Sequence, residues 1–219
     1  MIRLHYHPGN ASMTPHLLLC ELGVPFELVL VDRDNDAHKS PAYLKLNPNG
    51  LIPVLEDGDL VLYETAAIVL HLADTHPQAA LIPPLASAER AHFYKWLMWL
   101  TNTVQTTLSA YFYPDRWVDE GNDEGARQVR AHAQARVGSM LGQLDQLLAS
   151  HGGPWILGAQ FSAIDPFTFM VCRWTRGFKG AASAPARDFP RLGSYLQRML
   201  ERPAVQRVLA AENLSQPWV

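Results

Sequence analysis

The chain is poor in cysteine and has no long apolar segment. Its 219 residues include 2 cysteines, Cys20 and Cys172, which lie far apart in stretches of helical pattern. We expect two independent buried thiols instead of a disulfide, because free cysteine is among the most often buried residue types. No apolar run reaches the roughly 18 residues that suggest a membrane-spanning helix. The strand-like run at residues 2–5 begins the chain without the basic and apolar regions of a signal peptide, so we expect a cytoplasmic protein with no membrane partner.

Charge is also scarce. Charged residues make up 18 % of the chain, hydrophobic residues make up 48 %, and the net charge is −3. This balance is typical of an ordinary globular protein, and so mild a field does not favour nucleic acid as a partner. The charge is uneven, because residues 1–78 carry 4 basic against 10 acidic side chains, a net −6, whereas residues 79–219 carry a net +3. This shift in composition indicates two domains.

Motifs for metal binding and disulfide chemistry are missing as well. The 9 histidines form no H-x-x-x-H or H-E-x-x-H pair, although this is the spacing by which zinc-binding helices place two ligands on one face. The two cysteines form no C-x-x-C motif. We therefore expect neither a metal site nor a prosthetic group.

The first part of the chain alternates strand and helix patterns. Pro15 and Gly23 mark the start and the end of a helix, and Asp57-Gly58 predicts a hairpin turn between two strands. The predicted strands are residues 2–5, 26–31, 52–55 and 60–63, and the predicted helices are residues 15–22, 40–46 and 65–75. The order β-α-β-α-β-β-α predicts an α/β, thioredoxin-like N-terminal domain over residues 1–78.

The rest of the chain is helical in pattern. A stretch with three prolines, residues 76–84, predicts a linker. Ser162 and Asp165 have the Ser-x-x-Asp spacing of a capping box, to which we assign a structural role. The predicted helices are residues 86–112, 123–150, 165–176, 192–201 and 204–209. We therefore expect an all-α C-terminal domain over residues 86–219.

Two motifs carry the functional signal. The first, NPNGLIPVL at residues 47–55, predicts a turn that leads into an apolar strand with Pro53 at its entrance. The second, YETAAI at residues 63–68, predicts the end of a strand followed by a helix that Glu64 and Thr65 open. In this order and spacing the two motifs resemble the glutathione site of the glutathione transferase family. The resemblance extends over essentially the whole chain and implies the glutathione transferase architecture of two domains.

The resemblance implies how the tripeptide glutathione is held. A cis bond before Pro53 turns the N–H and C=O groups of Ile52 outward, where an extended peptide can pair with them. Glu64 is expected to bind the γ-glutamyl ammonium group, and Thr65, at a helix N-terminus, its carboxylate. A trans proline at a strand start and an ordinary helix cap are the structural alternatives for these residues.

The glycine end of glutathione requires a cation. Lys39, next to His38, matches the place where theta-type transferases have one, although it is also typical of a surface lysine. Many family members carry a basic residue in the turn before the cis-proline, where this chain has Gly50 and Leu51. Leu51 is still counted among the residues expected to bind glutathione, but the grip on the glycyl carboxylate is expected to be weaker.

The loop HPGNASMTPH at residues 7–16 joins the first strand to the first helix, whose N-terminus stabilises an anion such as a thiolate. Ser12 matches the serine with which theta- and delta-type transferases lower the pKa of the glutathione thiol. Thr14 is expected to cap the helix, which leaves the Ser12 hydroxyl available. The Asn10 amide and Tyr6 are the competing candidates for this role. Beta-type enzymes have a cysteine where this chain has Ala11, so covalent cysteine chemistry is not expected.

The resemblance implies an enzyme that activates glutathione, its cosubstrate, as a thiolate for attack on a small hydrophobic electrophile. Gln105, Tyr113 and Trp117 fall where the pocket for that second substrate is expected. The opposite charges of the two halves and the aromatic helix after His92 are consistent with the homodimer that is typical of the family. A non-catalytic binding or scaffold protein of the same fold is an alternative, and so is a glutathione-dependent isomerase, dehalogenase or peroxidase.

Overall fold

The structure, a computed structural model, describes residues 1–179 and 184–219. It divides the chain into two compact units. The first consists of Met1–Pro83 and Glu201–Ser215, and the second of Pro84–Leu200 and Gln216–Val219. The division between Pro83 and Pro84 lies inside the predicted linker. The segment Glu201–Ser215, which contains the last helix, groups with the first unit. The first unit is therefore built from two stretches of sequence, whereas the prediction gave one stretch, residues 1–78.

The first unit contains a four-stranded sheet with the order β2-β1-β3-β4, in which β1 and β2 are parallel and the other neighbours antiparallel. Its strands and helices are β1 (Ile2–Tyr6), α1 (Met13–Leu22), β2 (Phe26–Leu30), α2 (Pro41–Leu46), β3 (Val54–Asp57), β4 (Leu60–Tyr63) and α3 (Thr65–Thr75). This order confirms the predicted thioredoxin-like arrangement. Alternation along β1 buries Leu4 completely, beside Leu55 of β3, while Arg3 and His5 point to the other face.

The second unit is helical. Its helices are α4 (Ala88–Trp99), α5 (Thr106–Phe112), α6 (Asp123–His151), α7 (Ile164–Trp174) and α8 (Pro190–Leu200), and α9 (Pro203–Ala211) follows as part of the first unit. The segment Leu100–Gln105 between α4 and α5 is π-helical, so the single helix predicted over residues 86–112 is interrupted. In residues 1–179 and 184–219, no helix combines the length and the apolar character needed to span a bilayer.

Two local predictions need correction. The structure begins α1 at Met13 and places Ser12 at the N-cap position, so the prediction that Thr14 caps this helix was wrong. Pro15 is tolerated in the first turn because the N–H groups of a first turn have no acceptor within the helix. Strand β3 begins at Val54 instead of Ile52.

The two cysteines are both free, which confirms two independent thiols. Cys172 is fully buried in α7, and burial raises the pKa of its thiol. Cys20 is only partly buried, contrary to expectation, because it lies near the end of α1.

Candidate active site

Three segments of the first unit leave the sheet at the same end. His5 of β1 pairs with Val54 of β3, and Val54 pairs with Tyr63 of β4. The loop after β1, the turn before β3 and the start of α3 after β4 are therefore neighbours at that end. The predicted candidates for the sulfur, the cysteinyl backbone and the γ-glutamyl group lie on these three segments.

The Ser12 hydroxyl is used within the loop itself. Ser12 is completely buried, and its Oγ accepts a hydrogen bond from the His7 N–H at 3.2 Å and donates one to the His7 carbonyl at 3.2 Å. The single hydroxyl proton is thus directed at the main chain. The side chain at this position ties the start of α1 to the end of β1.

Asn10 presents the better side-chain donor. Its Oδ1 accepts a hydrogen bond from the Ala11 N–H, and an amide NH₂ cannot accept, so this contact assigns the orientation of the side chain. Within the described part of the chain, neither the Asn10 NH₂ group nor the Ser12 main-chain N–H has an acceptor. Both lie just before α1, which begins at Met13, and at this N-terminus the helix dipole favours a negative charge.

Tyr6 is a packed aromatic residue. Its ring lies edge-on to the His16 imidazole with centroids 6.2 Å apart, and its carbonyl accepts a hydrogen bond from the Val31 N–H at 2.8 Å. Neither contact directs the phenol at a ligand. Tyr6 therefore remains a candidate that only the resemblance supports.

The peptide bond between Ile52 and Pro53 is cis, which confirms the prediction. In residues 1–179 and 184–219, the Ile52 N–H and C=O groups take part in no hydrogen bond, since β3 begins two residues later. The preceding Leu51 carbonyl, in contrast, accepts hydrogen bonds from the Tyr43 hydroxyl at 2.9 Å and from the Asn47 amide at 2.8 Å. The main chain of Ile52 is thus available to an extended peptide.

The turn before the cis-proline depends on a residue that we had not singled out. Asn47 is buried, its Oδ1 accepts a hydrogen bond from the Asn49 N–H at 3.0 Å, and its carbonyl accepts one from the Gly50 N–H at 3.0 Å. Gly50 has φ +62°, and a Cβ there would lie 3.1 Å from the His38 carbonyl oxygen. The Asn-Pro-Asn-Gly sequence predicted the turn itself, but not the buried side-chain contacts of Asn47.

Glu64 has an unusual main-chain conformation. It precedes α3 with φ 72° and ψ 112°, a region that side-chain-bearing residues rarely adopt. Such residues cost about 1–3 kcal/mol each and cluster at ligand sites. No described residue bonds to the Glu64 carboxylate or to the Thr65 hydroxyl, and the first N–H groups of α3 have no acceptor within the helix.

The predicted cation is only loosely held. Lys39 is largely exposed, and its Nζ lies 3.0 Å from the Asp36 carboxylate. The neighbouring His38 is mostly buried, and its Nδ1 has no partner among the described residues. Burial lowers the pKa of the His38 imidazole, and the Arg33 charge acts in the same direction.

The predicted pocket residues for the second substrate all lie in the second unit. Gln105 ends the π-helical segment, and its buried Oε1 has no partner in the described part of the chain. Tyr113 precedes the short 3-10 helix Pro114–Trp117, and Trp117 is its last residue. The two residues are 37 % and 56 % exposed, and the Arg116 guanidinium covers the Tyr113 ring at 4.3 Å. Exposed aromatic faces of this kind suit an apolar ligand.

The described residues bring together no group of three or more histidine, cysteine, aspartate or glutamate side chains with the geometry to hold a metal ion.

Comparison with known proteins identifies the family. A family model for the glutathione S-transferase N-terminal domain matches residues 11–75, and one for the C-terminal domain matches residues 103–212. The glutathione S-transferase GstA of Escherichia coli O157:H7 is 30 % identical over 216 residues, which cover 97 % of this chain and 100 % of that protein. The chain therefore belongs to the glutathione S-transferase family, and the predicted family and enzyme class are confirmed.

Solved structures agree with this assignment. A glutathione transferase homologue from Sulfitobacter, crystallised with bound glutathione, superposes with a TM-score of 0.86 at 25 % identity and covers 96 % of this chain and 98 % of its own. A sphingomonad glutathione S-transferase in complex with glutathione gives a TM-score of 0.78 at 31 % identity and covers 97 % of this chain and 100 % of its own. The predicted fold class is confirmed.

Proposed function

We propose that glutathione lies across the end of the sheet where the loop after β1, the cis-proline turn and the start of α3 converge. The register that pairs His5 with Val54 and Val54 with Tyr63 is the observation that carries this proposal. The unpaired main chain of Ile52 binds the cysteinyl residue in the manner of an added strand. The relatives from Sulfitobacter and a sphingomonad, whose crystals contain glutathione, support the choice of ligand.

The γ-glutamyl end of the ligand is held by the side chains of Glu64 and Thr65, which have no partner among the described residues, and the glycyl end by Lys39, which also pairs with Asp36. The Glu64 carboxylate binds the γ-glutamyl ammonium, and the Thr65 hydroxyl and first N–H groups of α3 bind its carboxylate. Leu51 flanks the cysteinyl residue. Lys39 and His38 face the glycyl carboxylate, and Lys39 brings the positive charge that this end requires.

The sulfur then lies at the N-terminus of α1. The Asn10 NH₂ and the Ser12 N–H donate to it, and these hydrogen bonds with the helix dipole favour the thiolate over the thiol. The thiol proton leaves to solvent, and the sulfur lone pair forms a bond to an electrophilic carbon of the second substrate while the leaving group departs with its electron pair. The Ser12 hydroxyl maintains the conformation of the loop through its hydrogen bonds to the His7 main chain.

The second substrate is a small hydrophobic electrophile. The exposed rings of Tyr113 and Trp117 and the unpaired Gln105 Oε1 support this class of ligand. Isomerisation, dehalogenation and peroxide reduction start from the same thiolate, so a panel of one electrophile from each class, assayed with the same enzyme, selects among them.

Glu64 provides the test of the binding mode. Changing Glu64 to alanine should weaken glutathione binding by about tenfold to a hundredfold, since a charge-assisted hydrogen bond is worth about 1.5–3 kcal/mol. In Glu64→Ala the residue still carries a Cβ at φ 72°, so the backbone strain remains. Glu64→Gly removes both the carboxylate and the strain, and it should be more stable than Glu64→Ala by about 1 kcal/mol. Isothermal titration with glutathione measures the affinity, and thermal melts measure the stability. Affinity equal to that of the parent in both variants would place the γ-glutamyl site elsewhere.

We also propose a symmetric dimer, as is typical of the family. Large apolar side chains remain exposed along α4, including Tyr94 at 38 % and Met98 at 40 %. The net charges of −6 for residues 1–78 and +3 for residues 79–219 suit a contact between unlike halves of two copies. Light scattering at micromolar concentration should give about twice the chain mass of 24.4 kDa, and a mass near one chain would refute the dimer.

A further inference from the structure

A fully buried carboxylate, that of Glu212, contacts the loop over residues 7–12, where the glutathione sulfur is proposed to bind. Glu212 directly follows α9, and its side chain has no exposed surface. Its Oε2 accepts a hydrogen bond from the Gly9 N–H at 2.7 Å, and its Oε1 lies 2.8 Å from Nδ1 of His16. Burying a carboxylate is costly unless such donors surround it. The proposed reaction uses none of these three groups directly.

The contact with Gly9 bears on the geometry of the sulfur site. Gly9 has φ +68° and lies next to Asn10, and the Leu214 side chain lies 3.6 Å from where a Gly9 Cβ would be. Main-chain bonds within this loop are short in range, from the Asn10 N–H to the His7 carbonyl at 3.1 Å and from the Met13 N–H to the Asn10 carbonyl at 3.0 Å. The carboxylate therefore ties the loop to a segment about 200 residues away in the chain.

His16 determines where the carboxylate lies. It is on the first turns of α1, is buried, and has its ring edge-on to Tyr6 at 6.2 Å and to Phe26 at 5.7 Å. These ring contacts leave Nδ1 facing Glu212. The imidazole thus orients the carboxylate, and the carboxylate orients the Gly9 peptide.

We propose that Glu212 is a positioning residue for the transferase reaction. By holding the Gly9 N–H, it keeps the Asn10 NH₂ and the Ser12 N–H directed at the glutathione sulfur, and His16 supports it in this role. The inference rests on the proposed placement of the sulfur at the N-terminus of α1.

The same two helices offer a matched control. Arg202, just before α9, donates two hydrogen bonds of 2.7 Å each to the Glu21 carboxylate of α1. This pair joins α9 to α1 as Glu212 does, but its two hydrogen bonds run between Arg202 and Glu21 and do not involve the loop over residues 7–12. Glu21→Gln therefore weakens the contact between α9 and α1 and should leave the loop over residues 7–12 in place.

The experiment compares Glu212→Gln, His16→Leu, His16→Asn and Glu21→Gln with the parent. Ultraviolet absorbance of the bound thiolate is recorded against pH, kcat and KM are measured with a reactive aryl halide, and thermal melts show that each variant is folded. Glu212→Gln and His16→Leu should raise the pKa of the bound thiol and lower kcat by about tenfold, because small displacements of catalytic groups have effects of this size. His16→Asn keeps an N–H donor toward Glu212 and should restore most of the activity.

The control and the parent separate the outcomes. Glu21→Gln should have a lower melting temperature than the parent but the same kcat and the same pKa of the bound thiol. If Glu212→Gln and His16→Leu both keep the thiol pKa and the kcat of the parent enzyme, the positioning role is overturned. It is also overturned if Glu21→Gln loses as much kcat as these two variants do. A parent enzyme that shows no bound thiolate at neutral pH would overturn the proposed function itself.

Discussion

Replacing Asn10 by alanine is expected to lower turnover at neutral pH by about tenfold to a hundredfold. The Asn10 NH₂ has no acceptor within the described residues, and its orientation is assigned by the bond from the Ala11 N–H to Oδ1. A hydrogen bond to an ionised group is worth about 1.5–3 kcal/mol. Without it the thiol is favoured over the thiolate, so the pKa of the bound thiol rises. The loss should be largest at low pH and disappear as the pH rises above the new pKa, which a pH profile of kcat together with thiolate absorbance will show.

Two comparison variants test the direction of the Asn10 side chain. Asn10→Asp keeps an oxygen for the Ala11 N–H but places a negative charge beside the sulfur, so it should be less active than Asn10→Ala. Ser12→Ala removes a hydroxyl that bonds to His7, so it should cost about 1 kcal/mol of stability and little of the thiol ionisation. If Ser12→Ala raises the thiol pKa and Asn10→Asp does not, the serine hydroxyl is the main donor.

Much of this site was predictable because its signals are local. The cis bond before Pro53, the turn at residues 47–50 and the start of α3 at Thr65 each depend on a few adjacent residues. Proline, glycine and asparagine restrict the backbone at such points whatever the rest of the chain does. The order of strands and helices in the first unit followed from the same kind of signal.

The features that sequence analysis missed depend on long-range contacts. Glu212 bonds to Gly9 across 203 positions, and no periodicity or turn pattern connects the two. The grouping of α9 with the first unit has the same cause, because Arg202 and Arg207 bond to residues of α1. The hydrogen bonds between the Ser12 hydroxyl and the His7 main chain are of a similar kind, since only the folded loop brings these groups within 3.2 Å of each other.

The largest effect on stability is expected at Asp165. Its side chain is completely buried at the start of α7 and accepts hydrogen bonds from the Ile156 N–H at 3.0 Å and from the Ser162 N–H and hydroxyl at 2.8 and 3.2 Å. The contact with the Ser162 N–H is one half of the predicted capping box, and the bond to Ile156 extends it to the preceding loop. Asp165→Ala leaves these buried donors without an acceptor, which should cost about 3–5 kcal/mol. Thermal and denaturant unfolding measure this loss.

An aspartate in the same unit makes similar bonds near the surface. Asp145 of α6 accepts hydrogen bonds from the Arg191 and Leu192 N–H groups at 2.7 and 2.8 Å, at the start of α8. Water can replace the lost acceptor there, so Asp145→Ala should cost only about 1 kcal/mol. The difference between the two variants thus isolates the effect of burial. If Asp165→Ala is no more destabilising than Asp145→Ala, the loop before α7 finds other acceptors, and the capping network does not hold the second unit together.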